Sequence, residues 1–195
     1  MVEIVADRRT RKRDETREEI LAAAWELAER NGIAGLSLRD LAAAVGMRAP
    51  SLYTYFDSKG AIYDAMFAVG WQALDAAFAA IDTDRPALEV LTDGIGGFVA
   101  FCSASLPRYQ IMFTRVVADW EPSPEAYAHS VANYARLRDF LGKVGITDAA
   151  ALDLWTALGA GLAAQQIAND PGGDRWRRLA RPAAEMYLEQ VRRMQ

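Results

Sequence analysis

The sequence has 195 residues, of which 52% are hydrophobic and 25% are charged, and its formal net charge is −4. This composition is typical of a soluble globular protein and excludes a disordered or fibrous chain. Because the net charge is negative, binding to a polyanion such as a nucleic acid would depend on a local basic segment.

Such a segment lies at the N-terminus. The first thirteen residues contain two acidic side chains and five basic ones, which are Arg8, Arg9, Arg11, Lys12 and Arg13. The segment is either a solvated tail or an arm that contacts an anionic partner. No apolar stretch of the signal-peptide kind is found there, and the single cysteine, Cys102, cannot form an internal disulfide. Both features predict a cytoplasmic protein.

Three helices are predicted in residues 14–60. The first begins at the capping box Thr16–Glu19 and ends at Asn31-Gly32. Ser37 is the expected N-cap of the second helix, and Gly46 is expected to end it. The third begins near Pro50, because proline is tolerated in the first turn of a helix, and ends by about residue 56.

The last two of these helices form a helix, a glycine turn and a second helix, which is the plan of the helix-turn-helix motif. Five apolar side chains would pack the pair together: Leu38, Leu41, Val45, Leu52 and Phe56. The residues left on the outer side of the second helix are Arg48, Ala49, Ser51, Tyr53, Thr54 and Tyr55. These types can bind bases and phosphates. The alternative is an ordinary pair of amphipathic helices with a glycine between them.

Six more helices are predicted after the third, and no segment shows the alternation of a strand, so the predicted fold is all-α with about nine helices. The expected starts of these helices are Asp57 or Ser58, Pro86, Pro107, Ser123-Pro124, Thr147 and Asp174. The most apolar late stretch, Leu154–Ala168, is shorter than the roughly 20 residues that span a bilayer, so no membrane partner is expected.

Two segments, Leu41–Met47 and Ser51–Lys59, resemble the tetracycline-repressor (TetR) family of bacterial regulators, and so do Ile20–Ala24 and Gly35–Arg39. The resemblance implies an all-helical homodimer that binds a palindromic operator in double-stranded DNA, and repression that is relieved when a small molecule enters the larger domain. The expected organisation is a basic arm (1–13), a helix-turn-helix domain (14–60) and a ligand-binding and dimerisation domain (61–195).

The resemblance also implies roles for individual residues. Those expected at or near base edges are Arg48, Ala49, Ser51, Leu52 and Tyr53. Phosphate or backbone contacts are expected from Tyr53, Tyr55, Lys59, Ser37 and Arg39, and the basic arm is expected to reach the minor groove or the phosphates. One departure is Arg48, which stands where many relatives have a serine or threonine that caps the third helix.

The second domain resembles the family less specifically. Leu106–Phe113 and Trp155–Gly161 are similar to a C-terminal subgroup with a tryptophan, histidine and glycine signature, although the histidine is absent. Aromatic and sulfur-bearing side chains could line an apolar ligand pocket, with Gln165 or Gln166 as a polar contact. The candidates are Phe67, Trp71, Phe98, Phe101, Tyr109, Met112, Phe113, Trp120, Tyr127, Tyr134 and Trp155. The alternative is that they form an ordinary core.

The dimer interface is expected on the last two helices, because the small side chains of the eighth permit a close helix approach. The candidate contacts are Leu158, Gly159, Leu162, Gln166, Leu179 and Met186. The alternative is packing within one subunit only.

An enzyme is the main alternative from another class of protein. His129 is the only histidine and Cys102 the only cysteine, and no phosphate-binding GxxxxGK[ST] loop is present. We therefore predict no catalytic residue, no metal and no cofactor. Two further alternatives are a DNA-binding regulator without an effector and an architectural or ligand-binding protein without a regulatory role.

Overall fold

The computed structural model describes the backbone of residues 2–194 and the side chains of residue 8 and residues 10–194. Within this part of the chain nine α-helices and no strands are found, which confirms the all-α prediction. The helices are α1 (Val2–Asn31), α2 (Leu38–Ala44), α3 (Ala49–Leu52), α4 (Lys59–Ala79), α5 (Ala87–Ser103), α6 (Leu106–Phe113), α7 (Pro124–Lys143), α8 (Ala149–Asn169) and α9 (Ala180–Met194). Two short 3-10 helices, Ile33–Gly35 and Arg177–Leu179, precede α2 and α9.

Helix α1 begins far earlier than predicted. It starts at Val2, and the Thr16 hydroxyl donates to the Lys12 carbonyl at 2.9 Å, so this side chain lies inside the helix and caps nothing. The predicted start at Thr16 was therefore wrong. Glycine and proline are absent from Val2 to Asn31, so no residue interrupts the helix. The basic N-terminal segment is accordingly helical.

The turn between α2 and α3 agrees with prediction. Ser37 caps α2, since its Oγ accepts from the Asp40 amide at 3.4 Å. At the other end Gly46 has a φ of 66°, and the Met47 amide donates to the Ala42 carbonyl at 2.7 Å. This is the Schellman arrangement, whose left-handed residue is usually glycine. Helix α3 is shorter than predicted and continues as turns.

Two later helix starts differ from the prediction. Helix α8 is capped by Asp148 and not by Thr147, because Asp148 Oδ1 accepts from the Ala151 amide at 2.9 Å. Helix α9 begins at Ala180 and not next to Asp174, since the intervening residues form the 3-10 helix. The other predicted caps hold: Ser58 Oγ accepts from the Ala61 amide at 3.0 Å, and Ser123 Oγ from the Ala126 amide at 3.2 Å.

The described chain forms two compact units. The first comprises the residues up to Val69 together with Pro107–Ala126. Its core combines side chains from α1 to α4 and the connections between them with Ile111 and Met112 of α6, and it includes Ile20, Ala24, Leu27, Ile33, Leu36, Leu41, Leu52, Phe56, Ile62, Tyr63 and Met66. The Tyr63 hydroxyl donates to the Ile33 carbonyl at 3.2 Å, which fixes the start of α4 to the 3-10 helix that follows α1.

The second unit comprises Gly70–Leu106 and the residues from Tyr127 onward, and α5 packs against both α8 and α9 in it. Gly94 on α5 permits this packing, because a Cβ there would lie 3.1 Å from a ring carbon of Trp155. Cys102 on the same helix is buried. The predicted domain limits at 13/14 and 60/61 stay predictions.

Among the described residues, no single helix has both the length and the hydropathy of a membrane-spanning segment. The pair Ala87–Ser103 and Leu106–Phe113, which is bent by 107°, meets that test only when the two helices are counted together.

Candidate nucleic-acid interface

The recognition segment, Arg48–Tyr55, follows the glycine turn and presents polar side chains to solvent. Arg48 is the N-cap of α3 with an extended backbone (φ −91°, ψ 146°), and Pro50 occupies the first turn. The side chains of Arg48, Ser51 and Thr54 are exposed, and that of Tyr53 is 53% exposed. The outward side of the recognition segment therefore carries a guanidinium, two aliphatic hydroxyls and a phenol.

The inward side of the segment corrects one prediction. Leu52 is 1% exposed and Phe56 is 3% exposed, so both anchor the segment in the core of the first unit. The resemblance implied that Leu52 lies near base edges, which was wrong, because a buried side chain cannot reach a base. The helical pattern had placed Leu52 in the packing of the two helices, and its burial agrees with that. Ala49 and Tyr55 are half-buried.

Three predicted contacts outside the segment have different surroundings. Ser37 already uses its hydroxyl oxygen in the cap of α2, and Arg39 is exposed on the first turn of that helix. Lys59 begins α4, and its Nζ lies 5.3 Å from the centre of the Tyr63 ring.

The end of the recognition segment receives two arginines from α1. The Arg13 guanidinium donates to the Thr54 carbonyl at 3.2 Å, and the Arg17 guanidinium donates to the Tyr55 carbonyl. Arg17 also lies 4.2 Å from the centre of the Phe56 ring. Arg13 had been predicted as a DNA contact, whereas Arg17 had no predicted role. No local pattern could have found it, because 38 positions separate it from Tyr55.

Apart from Arg30 in the last turn, the remaining basic residues of α1 lie on its N-terminal half. Arg8, Arg11 and Lys12 are exposed, and Arg11 pairs with Glu15 at 3.5 Å on the next turn. The side chain of Arg9 lies outside the described residues.

The predicted ligand residue Trp120 is anchored to the first half of α4. Asp64 Oδ1 accepts from the Trp120 indole nitrogen at 3.1 Å and from the Ser123 amide at 3.2 Å. The indole ring also lies 5.6 Å from the Tyr63 ring and 6.1 Å from the Phe67 ring, measured between centres. These contacts hold the segment after α6 to the helix that follows the recognition segment.

The other predicted ligand residues are divided between the two units. The first unit contains Phe67, Tyr109, Met112, Phe113 and Trp120, and the second contains Trp71, Phe98, Phe101, Tyr127, Tyr134, Trp155 and Gln165. Tyr127 and Tyr134 are 55% and 48% exposed, and Gln165 is exposed, so these three line no enclosed cavity. Trp155 is packed between Phe140 and Tyr187, at ring-centre distances of 6.4 and 5.3 Å. Trp155 is therefore a core residue of the second unit.

An apolar surface, the α8–α9 face, coincides with part of the predicted dimer interface. Met186 is 60% exposed and Leu179 is 37% exposed, and Leu158 and Leu162 are half-buried. Leu154, which the sequence analysis missed, is 40% exposed on the same helix as Leu158. A groove of about 270 Å³ on this face is lined by Leu154, Leu158, Met186, Tyr187, Glu189, Gln190 and Arg193. From Leu154 to Asn169 the sequence contains no charged residue.

Two predicted interface residues are buried inside the subunit, so their assignment was wrong. Gly159 is buried, and a Cβ on it would lie 3.3 Å from Phe98. Gln166 is 1% exposed, and its Oε1 accepts from the amides of Trp176 and Arg177 at 2.9 and 3.2 Å. Its amide group donates to the Asp170 carbonyl. Gln166 therefore organises the connection between α8 and α9.

The comparisons with known proteins agree with this geometry. Residues 20–66 match the family model described as "Bacterial regulatory proteins, tetR family", which spans the end of α1, the helix-turn-helix and the start of α4. No curated protein matches the sequence.

Similar solved structures cover most of the chain. The TetR family transcriptional regulator PfmR from Thermus thermophilus has 22% identity and a TM-score of 0.64, covering 87% of this chain and 97% of its own. A TetR variant from Acinetobacter baumannii in complex with minocycline has 18% identity and a TM-score of 0.58, with coverages of 90% and 95%. FadR from Bacillus subtilis in complex with stearoyl-CoA has 16% identity and a TM-score of 0.64, with coverages of 87% and 96%. At these identities the likeness establishes the fold.

Proposed function

We propose that this chain, whose residues 20–66 match the model of the tetR family of bacterial regulatory proteins, is a helix-turn-helix repressor of that family that binds a palindromic operator as a homodimer and is released by a small apolar or aromatic effector. The observation that carries the proposal is the recognition segment. Arg48, Ser51 and Tyr53 face solvent there, while Leu52 anchors the same turn in the core.

The proposed DNA contacts follow from exposure and chemistry. Arg48, Ala49 and Ser51 would read base edges in the major groove, because a guanidinium can bind guanine at two points and an alanine methyl can touch the thymine methyl. Tyr53 and Tyr55 would bind phosphates. Contacts to the DNA backbone would also come from Ser37, Arg39 and Lys59, and Lys59 stands where the free amides of a helix start also favour an anion.

The basic start of α1 would add electrostatic affinity. Arg8, Arg11 and Lys12 are exposed on one continuous helix, and Arg9 would act with them. We expect a protein lacking residues 1–12 to bind the operator more weakly and with a flatter dependence of affinity on salt, since fewer counterions are released. An unchanged slope would contradict a role for these residues.

The proposed homodimer would form through the α8–α9 face. An exposed apolar surface with a groove, on a helix that has no charged residue from Leu154 to Asn169, is typical of a surface that a partner covers. We expect Met186→Arg to convert the dimer to monomers in sedimentation experiments, because it would bury an unpaired charge. Val116→Arg, at an exposed apolar residue of the first unit, is the matched control and should leave the dimer intact.

Release by an effector would use α4, which begins with Lys59 and continues without a break to Ala79. A ligand that prefers an arrangement unable to bind DNA would lower operator affinity, and a coupling of roughly 1–3 kcal/mol corresponds to about 5- to 150-fold. Neighbouring structures with minocycline and stearoyl-CoA support an apolar or aromatic ligand class. The alternative is a regulator without an effector, which the core packing of Trp155 favours.

The proposed location is the bacterial cytoplasm at the nucleoid, and no catalytic activity is proposed. Selection of genomic fragments by the purified protein tests the main proposal, with a palindromic site as the expected result. Arg48→Ala should weaken binding to that site by roughly 1–3 kcal/mol. The control Arg30→Ala, at the far end of α1, should not. Absence of any sequence preference would refute a regulatory function.

A further inference from the structure

Helix α3 is too short to be stable on its own. It comprises only Ala49–Leu52, and the residues after it continue as turns to Tyr55. Isolated helices are marginal in water even at about 12–15 residues, so a single turn depends on contacts from the rest of the protein. The end of the segment therefore requires partners for its carbonyl groups.

Helix α1 supplies those partners. Arg13 donates to the Thr54 carbonyl at 3.2 Å, and Arg17, one helical turn later, donates to the Tyr55 carbonyl. A cation at the C-terminal end of a helical turn also complements the partial negative charge of the carbonyls there. The two arginines thus act on consecutive peptide groups where the recognition segment ends.

Arg17 makes a second contact that lysine could not reproduce. Its guanidinium lies 4.2 Å from the centre of the Phe56 ring while it donates to the preceding carbonyl. A planar guanidinium can stack on a ring and donate in its plane at once, whereas an ammonium is a point charge on a flexible chain. Phe56 itself is buried in the core.

The two ends of the recognition segment are thus fixed by different means. At the start, no side chain caps α3 and Pro50 restricts the backbone. At the end, Phe56 anchors the chain in the core, and Arg13 and Arg17 from α1 hold the carbonyls of Thr54 and Tyr55. Loss of the Arg17 contact would leave the start in place and loosen the end that carries Tyr53 and Tyr55.

We propose that Arg17, assisted by Arg13, is a positioning residue for DNA recognition, which orders the end of the recognition segment without contacting DNA. This inference rests on the proposed function. It assigns a role to Arg17 and changes that of Arg13 from a phosphate contact to an internal support.

The salt dependence of operator binding separates positioning from direct contact. A side chain that neutralises a phosphate contributes about 0.9 to the slope of log affinity against log salt concentration. A positioning residue instead changes the fraction of molecules whose segment is ordered for binding, and apparent affinity falls in proportion to that fraction. Replacement of Arg17 should therefore lower affinity equally at every salt concentration.

The decisive variant is Arg17→Lys in the full-length protein, which keeps the charge and removes the stacked, directed contact. We expect about a tenfold or greater loss of affinity for the selected operator fragment, since hydrogen bonds to charged groups are strong. The slope against salt should be unchanged. In the protein without DNA, the amides of Thr54, Tyr55 and Phe56 should exchange hydrogen faster, whereas those of α5 should not change.

Two further variants complete the test. Arg13→Gln should also speed hydrogen exchange in the segment, with a smaller loss of operator affinity, because Arg13 donates to a carbonyl but does not stack on Phe56 as Arg17 does. This variant replaces Arg17→Lys in the test if Arg17→Lys does not fold. Lys12→Gln is the matched control on the same helix. It should leave hydrogen exchange in the recognition segment unchanged and reduce the salt slope by about 0.9 if Lys12 binds a phosphate.

The outcomes are distinct. Unchanged hydrogen exchange in both Arg17→Lys and Arg13→Gln would overturn the positioning role, whatever the protein does with DNA. A flatter salt slope in Arg13→Gln would instead make Arg13 a phosphate contact and would overturn its internal role. Faster exchange in a protein that selects no DNA sequence would leave the positioning contact intact and refute the proposed function alone.

Discussion

Two aromatic side chains, one in each unit, have opposite surroundings. In the first unit Tyr53 is 53% exposed at the end of a one-turn helix, next to a leucine that is 1% exposed. In the second unit Trp155 is buried between two other rings and against a glycine. The neighbours of a ring determine whether it is available to a partner, since Tyr127 and Tyr187 of the second unit are of one type and are 55% and 1% exposed.

The largest effect should separate a buried ring from an exposed one within the second unit. Trp155→Ala should reduce the free energy of unfolding by about 3–5 kcal/mol, because it leaves a cavity beside Gly94, Phe140 and Tyr187. Tyr127→Ala, at a ring that is 55% exposed, should change it by no more than about 0.5 kcal/mol. Urea unfolding at one fixed protein concentration measures both. Equal losses of unfolding free energy in the two variants would contradict the different roles of the buried and the exposed ring.

Gln165 and Gln166 are neighbours of one residue type with opposite exposure. Gln166→Ala should cost about 1–3 kcal/mol, because it leaves the amides of Trp176 and Arg177 without their acceptor. Gln165 is exposed and bonds to Asn169, so Gln165→Ala should lie within about 0.5 kcal/mol of the natural protein. The same urea experiment applies, and a reversed order would show that the connection between α8 and α9 is not held by Gln166.

A third experiment compares indole groups from the two units. Trp120→Phe removes the donor to Asp64 and should cost about 1 kcal/mol, with faster hydrogen exchange in residues 114–123. Trp176→Phe should cost less, because the Trp176 indole nitrogen is buried with no hydrogen-bond partner among the described residues. If Trp120→Phe were silent in both measurements, the anchor to α4 would have no energetic importance.

The smallest effect concerns pH. Burial raises the pKa of Tyr187 to about 12, and its hydroxyl donates to the Ala151 carbonyl at 3.0 Å. The unfolded chain then loses this proton more readily than the folded one, so the stabilisation is complete below about pH 10 and declines toward pH 12. The stability of Tyr187→Phe should therefore decline less steeply as the pH rises above about 10. An identical dependence on pH in both proteins between pH 9 and 11 would contradict it.

Helical periodicity and turn residues were sufficient to predict the number and order of the helices. Gly46 and Ser37 act within one turn of the chain, so the sequence alone identifies the boundaries that they set. The start of α1 was misplaced because Thr16 and Glu19 have the spacing of a capping box, and the same spacing can occur in the interior of a helix. The cap of α8 was misplaced by one residue, between Thr147 and Asp148, both of which can fill that position.

The orientation of individual side chains was harder to predict than the helices. Leu52 lies among residues that face outward, and Gly159 and Gln166 share a helix with residues of the α8–α9 face. Only the packing of neighbouring helices determines which side of each turn is buried. The contacts of Arg17 were beyond local patterns, because the partner residues are remote in sequence.

The position of Cys102 has a practical consequence. Cys102 is the only cysteine in this sequence, and its side chain on α5 is buried. Because it is buried, it should react slowly with maleimide reagents under native conditions. A fluorophore could then be attached selectively to a cysteine introduced at Thr54, without first replacing the natural one. The emission of that label would report directly on order at the tip of the recognition segment, in the same molecule whose affinity is titrated.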